Sequence, residues 1–292
     1  MGLRYTLIFL LFCGFNVTAQ VCEDDVEDNI KDSIYIAEVE NVVGKDKVLH
    51  AEPLFIDLIR DLGARKGEKE WNVAVGLNDN NSYSSYTTLV EYEWAPIDRL
   101  GLEVELPFTF YYRPEQNVIT PGSRLNSLKL AAQYSFFVSE KLKTSMAIGY
   151  IHELEAVSFN QMSFQKVFKG NVFNPFFIGA KRFGNNFHTL IYTGPVVERH
   201  FNSTNNHFSW QMNTNFHYMI SGTRNFIGLE INHDMHDGKS DLVLRPQMRV
   251  GIADNLLIGI VTGIPIYTTN NDRFSTFIRL IYEPGHRKVN HH

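Results

Sequence analysis

Cysteine is scarce: the chain of 292 residues has two. Cys13 sits inside an apolar N-terminal run, which leaves Cys22 alone, so no intramolecular disulfide framework is available. Long hydrophobic runs are missing as well. Beyond the N-terminus, the most apolar stretch runs from Leu256 to Ile266 and is broken by Gly259, Thr262, Gly263 and Pro265. It falls well short of the roughly 20 residues that a membrane helix needs. Any entry into a membrane must therefore be made by strands. There is no surplus of positive charge either. Lys and Arg total 27 against 32 Asp and Glu, a net charge of −5, which removes the basic face that a nucleic-acid partner requires. No glycine-rich phosphate loop ending in Lys and Ser or Thr occurs, and no cofactor is expected.

Aromatic residues are abundant, with 22 Phe and 13 Tyr. The N-terminus has the layout of a signal peptide: Arg4, then an apolar run from Tyr5 to Phe15, then Val17-Thr18-Ala19. Cleavage is expected after Ala19, giving a signal peptide over 1–19. Residues 20–49 begin with Glu23, Asp24, Asp25, Glu27 and Asp28, which lack the oxygen spacing of a calcium loop and read as a flexible acidic leader. In residues 50–70, Leu54, Leu58 and Leu62 recur every four positions, with Phe55 and Ile59 beside them. Pro53 suits a first helical turn and Gly63 a helix stop, so the spacing predicts an amphipathic helix over 53–62, followed by a charged connector.

From Trp71 the period changes to two. Leu102, Val104, Leu106, Phe108 and Phe110 alternate with Glu103, Glu105, Pro107 and Thr109. The same pattern recurs to the end of the chain. It predicts strands near 71–78, 85–95, 100–112, 126–138, 141–153, 172–182, 186–198, 207–220, 224–233, 241–251, 255–266 and 273–283, and a terminal tail over 284–292. Most are ten residues or longer, the length that a tilted membrane strand needs. Tight connections follow strands two, four, six, eight and ten, and the others are mostly longer, including one from Asp234 to Ser240. This rhythm predicts an all-β, antiparallel transmembrane β-barrel of about twelve strands over 71–283, with both termini in the periplasm of a bacterial outer membrane. Alternation alone leaves open which face points inward. A soluble barrel or sandwich turns its apolar face in. Strand length, loop rhythm, terminal aromatics and the signal peptide favour the membrane case.

The segment His50 to Asn72, HAEPLFIDLIRDLGARKGEKEWN, resembles the N-terminal signature of outer-membrane barrel proteins of Bacteroidota bacteria. That resemblance implies an outer-membrane barrel and draws attention to His50, Glu52, Pro53, Asp57, Arg60 and Asp61. It also implies that Asp32-Ser33-Ile34 matches a short O-glycosylation motif of that phylum.

With apolar residues facing lipid, the lumen would receive Glu91, Glu93, Glu103, Glu105 and Lys129 on one side and Arg245, Arg249 and Arg279 on another. Acidic and basic strips facing across water would orient polar solutes. The same charges, paired, would fill and block the lumen. The predicted helix either plugs the lumen or packs in the periplasm, below the barrel or against a protein partner; its apolar stripe favours the second. His207 and Ser209 share one strand face in a loosely phospholipase-like spacing, but their flanking residues do not fit that family. His233, Asp234, His236 and Asp237 read as a solvated loop rather than a metal site. The expected function is a passive channel for small polar solutes or a structural component of the outer membrane, in contact with its lipid and without catalysis. The alternative is a lipid-modifying barrel hydrolase.

Overall fold

The computed structural model describes residues 23–40, 44–56, 58–80, 83–112, 120–269 and 272–284. The expected signal peptide, Cys22, Asp57 and all but the first residue of the terminal tail lie outside the described residues.

Twelve strands close into one barrel. They are β1 (Lys69–Asn80), β2 (Ser84–Ile97), β3 (Leu100–Tyr112), β4 (Ser127–Ser139), β5 (Thr144–Ala156) and β6 (Phe168–Phe183). The second half holds β7 (Phe187–His200), β8 (Asn206–Met219), β9 (Phe226–His236), β10 (Lys239–Ala253), β11 (Leu256–Tyr267) and β12 (Asp272–Tyr282). A two-residue piece, Arg124–Leu125, pairs with β3 ahead of β4. Each strand pairs antiparallel with its neighbours in sequence, and β1 pairs with β12 from Trp71↔Tyr282 to Asn80↔Asp272. No edge is left unpaired, as a lipid environment demands. Strand lengths run from 11 to 16 residues.

The faces are sorted as a membrane barrel requires. On β1, Trp71, Val73 and Val75 are 44–57% exposed, while the alternating Asn72 and Ala74 are 0% and 1%. On β2 and β3, Glu91, Glu93, Glu103 and Glu105 are buried, whereas Val90, Leu106 and Phe110 are exposed. A soluble barrel would show the reverse.

One expected loop is a strand. β9 runs through His236 and β10 starts at Lys239, so Asp234 and His236 lie on a ladder rather than in a solvated loop. The two-residue turn is Asp237-Gly238, with φ of 46° and 75°. Both positive values fit a tight type I′ hairpin, whose twist matches that of the strands.

The N-terminal part departs most from expectation. One helix, α1, precedes the barrel, but it spans Glu23–Glu40, inside the region read as a flexible leader. It is pinned to the short turns. Asp32 accepts from the Gly222 amide (2.6 Å) and from Ser221 (3.2 Å), and it also bonds Asn186. Arg182 on β6 donates to Glu40 at 2.6 Å. Ser33 stays exposed and accepts a hydrogen bond from Asn185. None of the described residues of 53–62 is helical. This stretch crosses the barrel interior as irregular chain, and Leu54, Ile56, Leu58, Ile59 and Leu62 are all buried there. Its backbone bonds run to side chains of the wall instead of to its own next turn.

The outward face supplies a first prediction. Ile278 on β12 is 46% exposed and faces lipid. Ile278→Arg is expected to lower folding stability by about 2–4 kcal/mol in vesicles, measured by denaturant titration of tryptophan emission. An unchanged midpoint would place that face elsewhere.

Candidate functional site: a plugged lumen

The interior is shaped by the parity of the strands. Every second residue points in, and the inward set differs around the circumference. β1–β3 bring acids. β4–β7 bring Ala131, Ala147, Ile151, Ile178, Ala180, Leu190 and Tyr192, which pack with Ile56, Leu58, Ile59 and Leu62 of the crossing segment. β8–β12 bring Met219, Phe226, Leu257, Val261 and Ile281, which pack with Ala51 and Leu54. The apolar residues of 51–62 thus find apolar surface inside the barrel, which the sequence reading had sought outside it.

Polar contacts fix the plug in register. The Ala51 amide donates to His188 Nδ1 at 3.0 Å, the Leu54 amide to Gln247 Oε1 at 2.8 Å, and the Ile56 amide to Glu230 Oε1 at 3.1 Å. The Gly63 amide donates to Ser135, and Gln133 donates to the Arg60 carbonyl at 2.6 Å. These bonds replace the helical ladder that the spacing of leucines suggested, because an irregular chain must satisfy its buried amides from the wall. Two wall glycines make room. A Cβ at Gly101 would lie 2.5 Å from Arg60 Cβ, and one at Gly259 would lie 2.6 Å from Leu54 Cδ2.

The charged residues expected in the lumen are there, but the water-filled gap between acidic and basic strips is not. Lys129 stands 2.5 Å from Glu105 and 3.2 Å from Glu103. Arg279 on β12 meets Glu91 on β2 at 3.4 Å, reaching across β1. The other two arginines engage the plug: Arg249 pairs with Glu52 at 3.3 Å, and Arg245 lies 3.3 Å over the Phe55 ring. Arg60 reaches the acidic side, 2.7 Å from Glu70, 3.4 Å from Glu93 and 3.1 Å from Asp61. Lys47 closes the network on Asp61 (2.8 Å) and Glu68 (2.7 Å). Burial works against the Asp61 carboxylate, yet Arg60 and Lys47 hold it well below the usual carboxylate range. Of the signature residues, His50, Glu52, Arg60 and Asp61 bond the wall or the network, and Pro53 is buried beside them. The sequence reading missed Glu70, Asn72, Gln133, His188, Glu230 and Gln247. All lie at inward parity, so alternation carried the signal, but nothing marked them as partners of the plug.

The phospholipase-like pair gains little. His207 sits 3.4 Å from Asp237, and among the described residues no serine hydroxyl bonds to His207. Glu91, Glu93 and Glu103 bring carboxylate oxygens within 4.8 Å of one another, close enough to share a cation.

Comparison with known proteins follows from this geometry. A family model for HAEPLYID-like proteins matches residues 46–283, which takes in the plug and the whole barrel. The chain belongs to the HAEPLYID-like family. The octapeptide that names this family reads HAEPLFID here, from His50 to Asp57, and lies in the plug. No curated protein matches by sequence. Among solved structures, an outer-membrane channel from Pseudomonas putida F1 is similar, with a TM-score of 0.62 at 13% identity over 78% of this chain and 99% of that one. The KdgM porin is similar with a TM-score of 0.51 at 12% identity, over 73% of this chain and 98% of that one. At these identities the likeness is one of fold: this HAEPLYID-like chain has the architecture of outer-membrane barrels.

The plug carries a pH dependence. His50 accepts or donates one bond to Ser145 at 3.0 Å and lies 6.4 Å from the ring of His188. Burial, then His188 and Arg182, hold its imidazole well below the ordinary 6.5. A released His50 takes up a proton near 6.5 and a seated one does not, so seating is favoured above that pH and weakens below it. The protection factors of amides in residues 44–56, which divide out the intrinsic slowing of exchange in acid, are expected to fall by up to about tenfold from about pH 7.5 to about pH 5.5, with His50→Asn flattening the change. Equal protection factors at both values would remove His50 as the cause.

Proposed function

We propose that this protein is a gated channel of the bacterial outer membrane for small polar solutes, with residues 44–68 as its gate. The observation that carries this reading is the make-up of the plug. It is irregular chain, held by side-chain bonds to its amides, by ion pairs of Arg60 and Glu52 and by glycine-sized contacts, inside a closed wall that has polar groups of its own. A plug with that construction can leave its seat without unfolding the barrel, since the strands bond one another independently of it.

The short turns are assigned to the periplasmic side. The turn rhythm and the expected signal peptide support this, and α1, which is docked on those turns, then lies in the periplasm. The outward apolar belt is the contact with outer-membrane lipid. The reading gives the chain no catalytic step. A lipid hydrolase would need a nucleophile and base presented to lipid, and the His207–Asp237 pair lacks a hydroxyl partner among the described residues.

Conductance in planar bilayers tests the reading. Gly101→Val pushes directly on Arg60 and Ile59. Loss of about 1.4 kcal/mol of seating would raise the open probability about tenfold over wild type. Heat-modifiable migration shows that the variant barrel has folded. A folded variant that conducts no better than wild type would sink the channel, as would release of fatty acid from bilayer lipid by the purified protein.

A further inference from the structure

The wall of β1–β5 carries more negative charge than it can neutralise. Seven carboxylates point inward there; Glu155 is met by Lys169 at 3.3 Å, which leaves Glu70, Glu91, Glu93, Glu103, Glu105 and Glu153. Two wall cations answer them, Lys129 and Arg279. The third positive charge comes from outside the wall: it is Arg60 of the plug, 3% exposed, with its guanidinium between Glu70 and Glu93.

Acceptors remain in excess even then. Among the described residues, Lys129 is the cation beside Glu103, 3.2 Å from Oε1, while Glu103 Oε2 and Asn72 Oδ1 accept no hydrogen bond, although these residues are 1% and 0% exposed. The Asn72 amide already faces three carboxylates: Glu91 at 2.6 Å, Glu70 at 2.9 Å and Glu93 at 3.0 Å. An array of buried acceptors short of donors is unfavourable until carboxyls take up protons or a donor-rich cation fills it, and a cation relieves it without that protonation. A guanidinium brings five N–H donors in one plane and a primary ammonium brings three; neither brings an acceptor. The cations of the far wall do not compete, because Arg249 is held by Glu52 and Arg245 by Phe55 and Asn232.

We propose that the acidic wall is a binding site for organic cations bearing a guanidinium or a primary ammonium, and that Arg60 is its resident occupant while the plug is seated. This deepens the channel reading and rests on it for the solute: when the plug shifts, Arg60 leaves and the vacated carboxylates select cationic over anionic solutes. The plug is then an internal competitor of the solute.

Chemical rescue tests the site in the full chain. Arg60→Ala empties it. About 10 mM methylguanidinium is expected to raise the melting temperature of R60A by several degrees, to leave the wild type unmoved, and to have no effect on R60A/E93Q. Ethylammonium should act in the same direction. An equal rise with NaCl of matched ionic strength, or with Mg²⁺ alone, would overturn the proposal, as would an equal rise in the wild type. If R60A fails to assemble, its refolded yield with and without methylguanidinium is the readout, and equal yields overturn the site. Reversal potentials in a KCl gradient separate the two readings. An R60A pore that prefers K⁺ supports both. A pore that prefers Cl⁻ or neither ion refutes the cationic solute and leaves the channel standing. Rescue by methylguanidinium without any conductance keeps the site and refutes the channel.

Discussion

The fold depends on one constraint: hydrocarbon offers a backbone amide no partner, so every strand in it must be paired on both sides. The pairing of β1 with β12, continuous from Trp71 to Asp79 on β1, satisfies that constraint by removing both edges of the sheet. Closure then dictates the rest. Strands must be long enough to cross. Residues at outward parity, such as Val73, Val75 and Ile278, must be apolar. Residues at inward parity are released from that demand and can carry charge, as Glu91 and Glu103 do. The interior inherits a new difficulty from this freedom, because charges in a narrow space away from bulk water need partners.

The plug is shaped by that difficulty. Its residues are distributed to match a wall that is not uniform. Ile56, Leu58, Ile59 and Leu62 go to the apolar sector of β4–β7, Leu54 to the second apolar cluster, Glu52 to Arg249, and Arg60 to Glu70 and Glu93. This is amphipathicity wrapped around the inside of a cylinder rather than along one face of a helix. A helix presents one apolar stripe to one surface. An irregular chain inside a barrel can turn successive side chains to different walls, and side chains of those walls serve its amides.

That distinction explains what the sequence disclosed. Strand positions and outward faces were legible because each strand repeats the same choice several times, as in Leu102-Glu103-Val104-Glu105. The lumen charges were legible for the same reason. The conformation of 53–62 was not. Leucines at 54, 58 and 62 fit a helix, and the competing partners, Gln247, Glu230 and Gln133, lie 73 to 193 residues away in the chain. The spacing of the plug was compatible with a helix; the wall decided against it. The apolar lumen sector was hidden because strands such as β6 are apolar on both faces around Phe176-Phe177-Ile178, so alternation there assigns no side. The helix of residues 23–40 was hidden by its acidic start, which reads as a solvated leader. What holds it is long-range: Asp32 on the turn at Gly222, and Glu40 on Arg182.

Those two anchors also constrain how a gate here can work. The plug is tethered before its start by α1 on the short turns, and after its end by Lys69, the first residue of β1. Between the anchors, Gly63 and Gly67 take φ near +90°, a backbone state that lets the chain reverse and that other residues rarely adopt. The Gly67 amide bonds the Ala95 carbonyl at 2.8 Å, which fixes the exit of the segment to β2. A segment held at both ends does not leave the barrel; it shifts within it. The cost of a shift is not spread evenly. Around Leu54 and Ile56 it breaks apolar contacts and single hydrogen bonds to Gln247 and Glu230, the neutral ones worth on the order of 1 kcal/mol each, with one ion pair, Glu52 to Arg249, at its edge. Around Arg60 it separates a buried guanidinium from buried carboxylates, which leaves both without partners unless water or a solute cation enters. The apolar half of the plug can therefore loosen alone, whereas the acidic half loosens most readily when a cation takes the place of Arg60. Such a gate responds to the charge of what it admits.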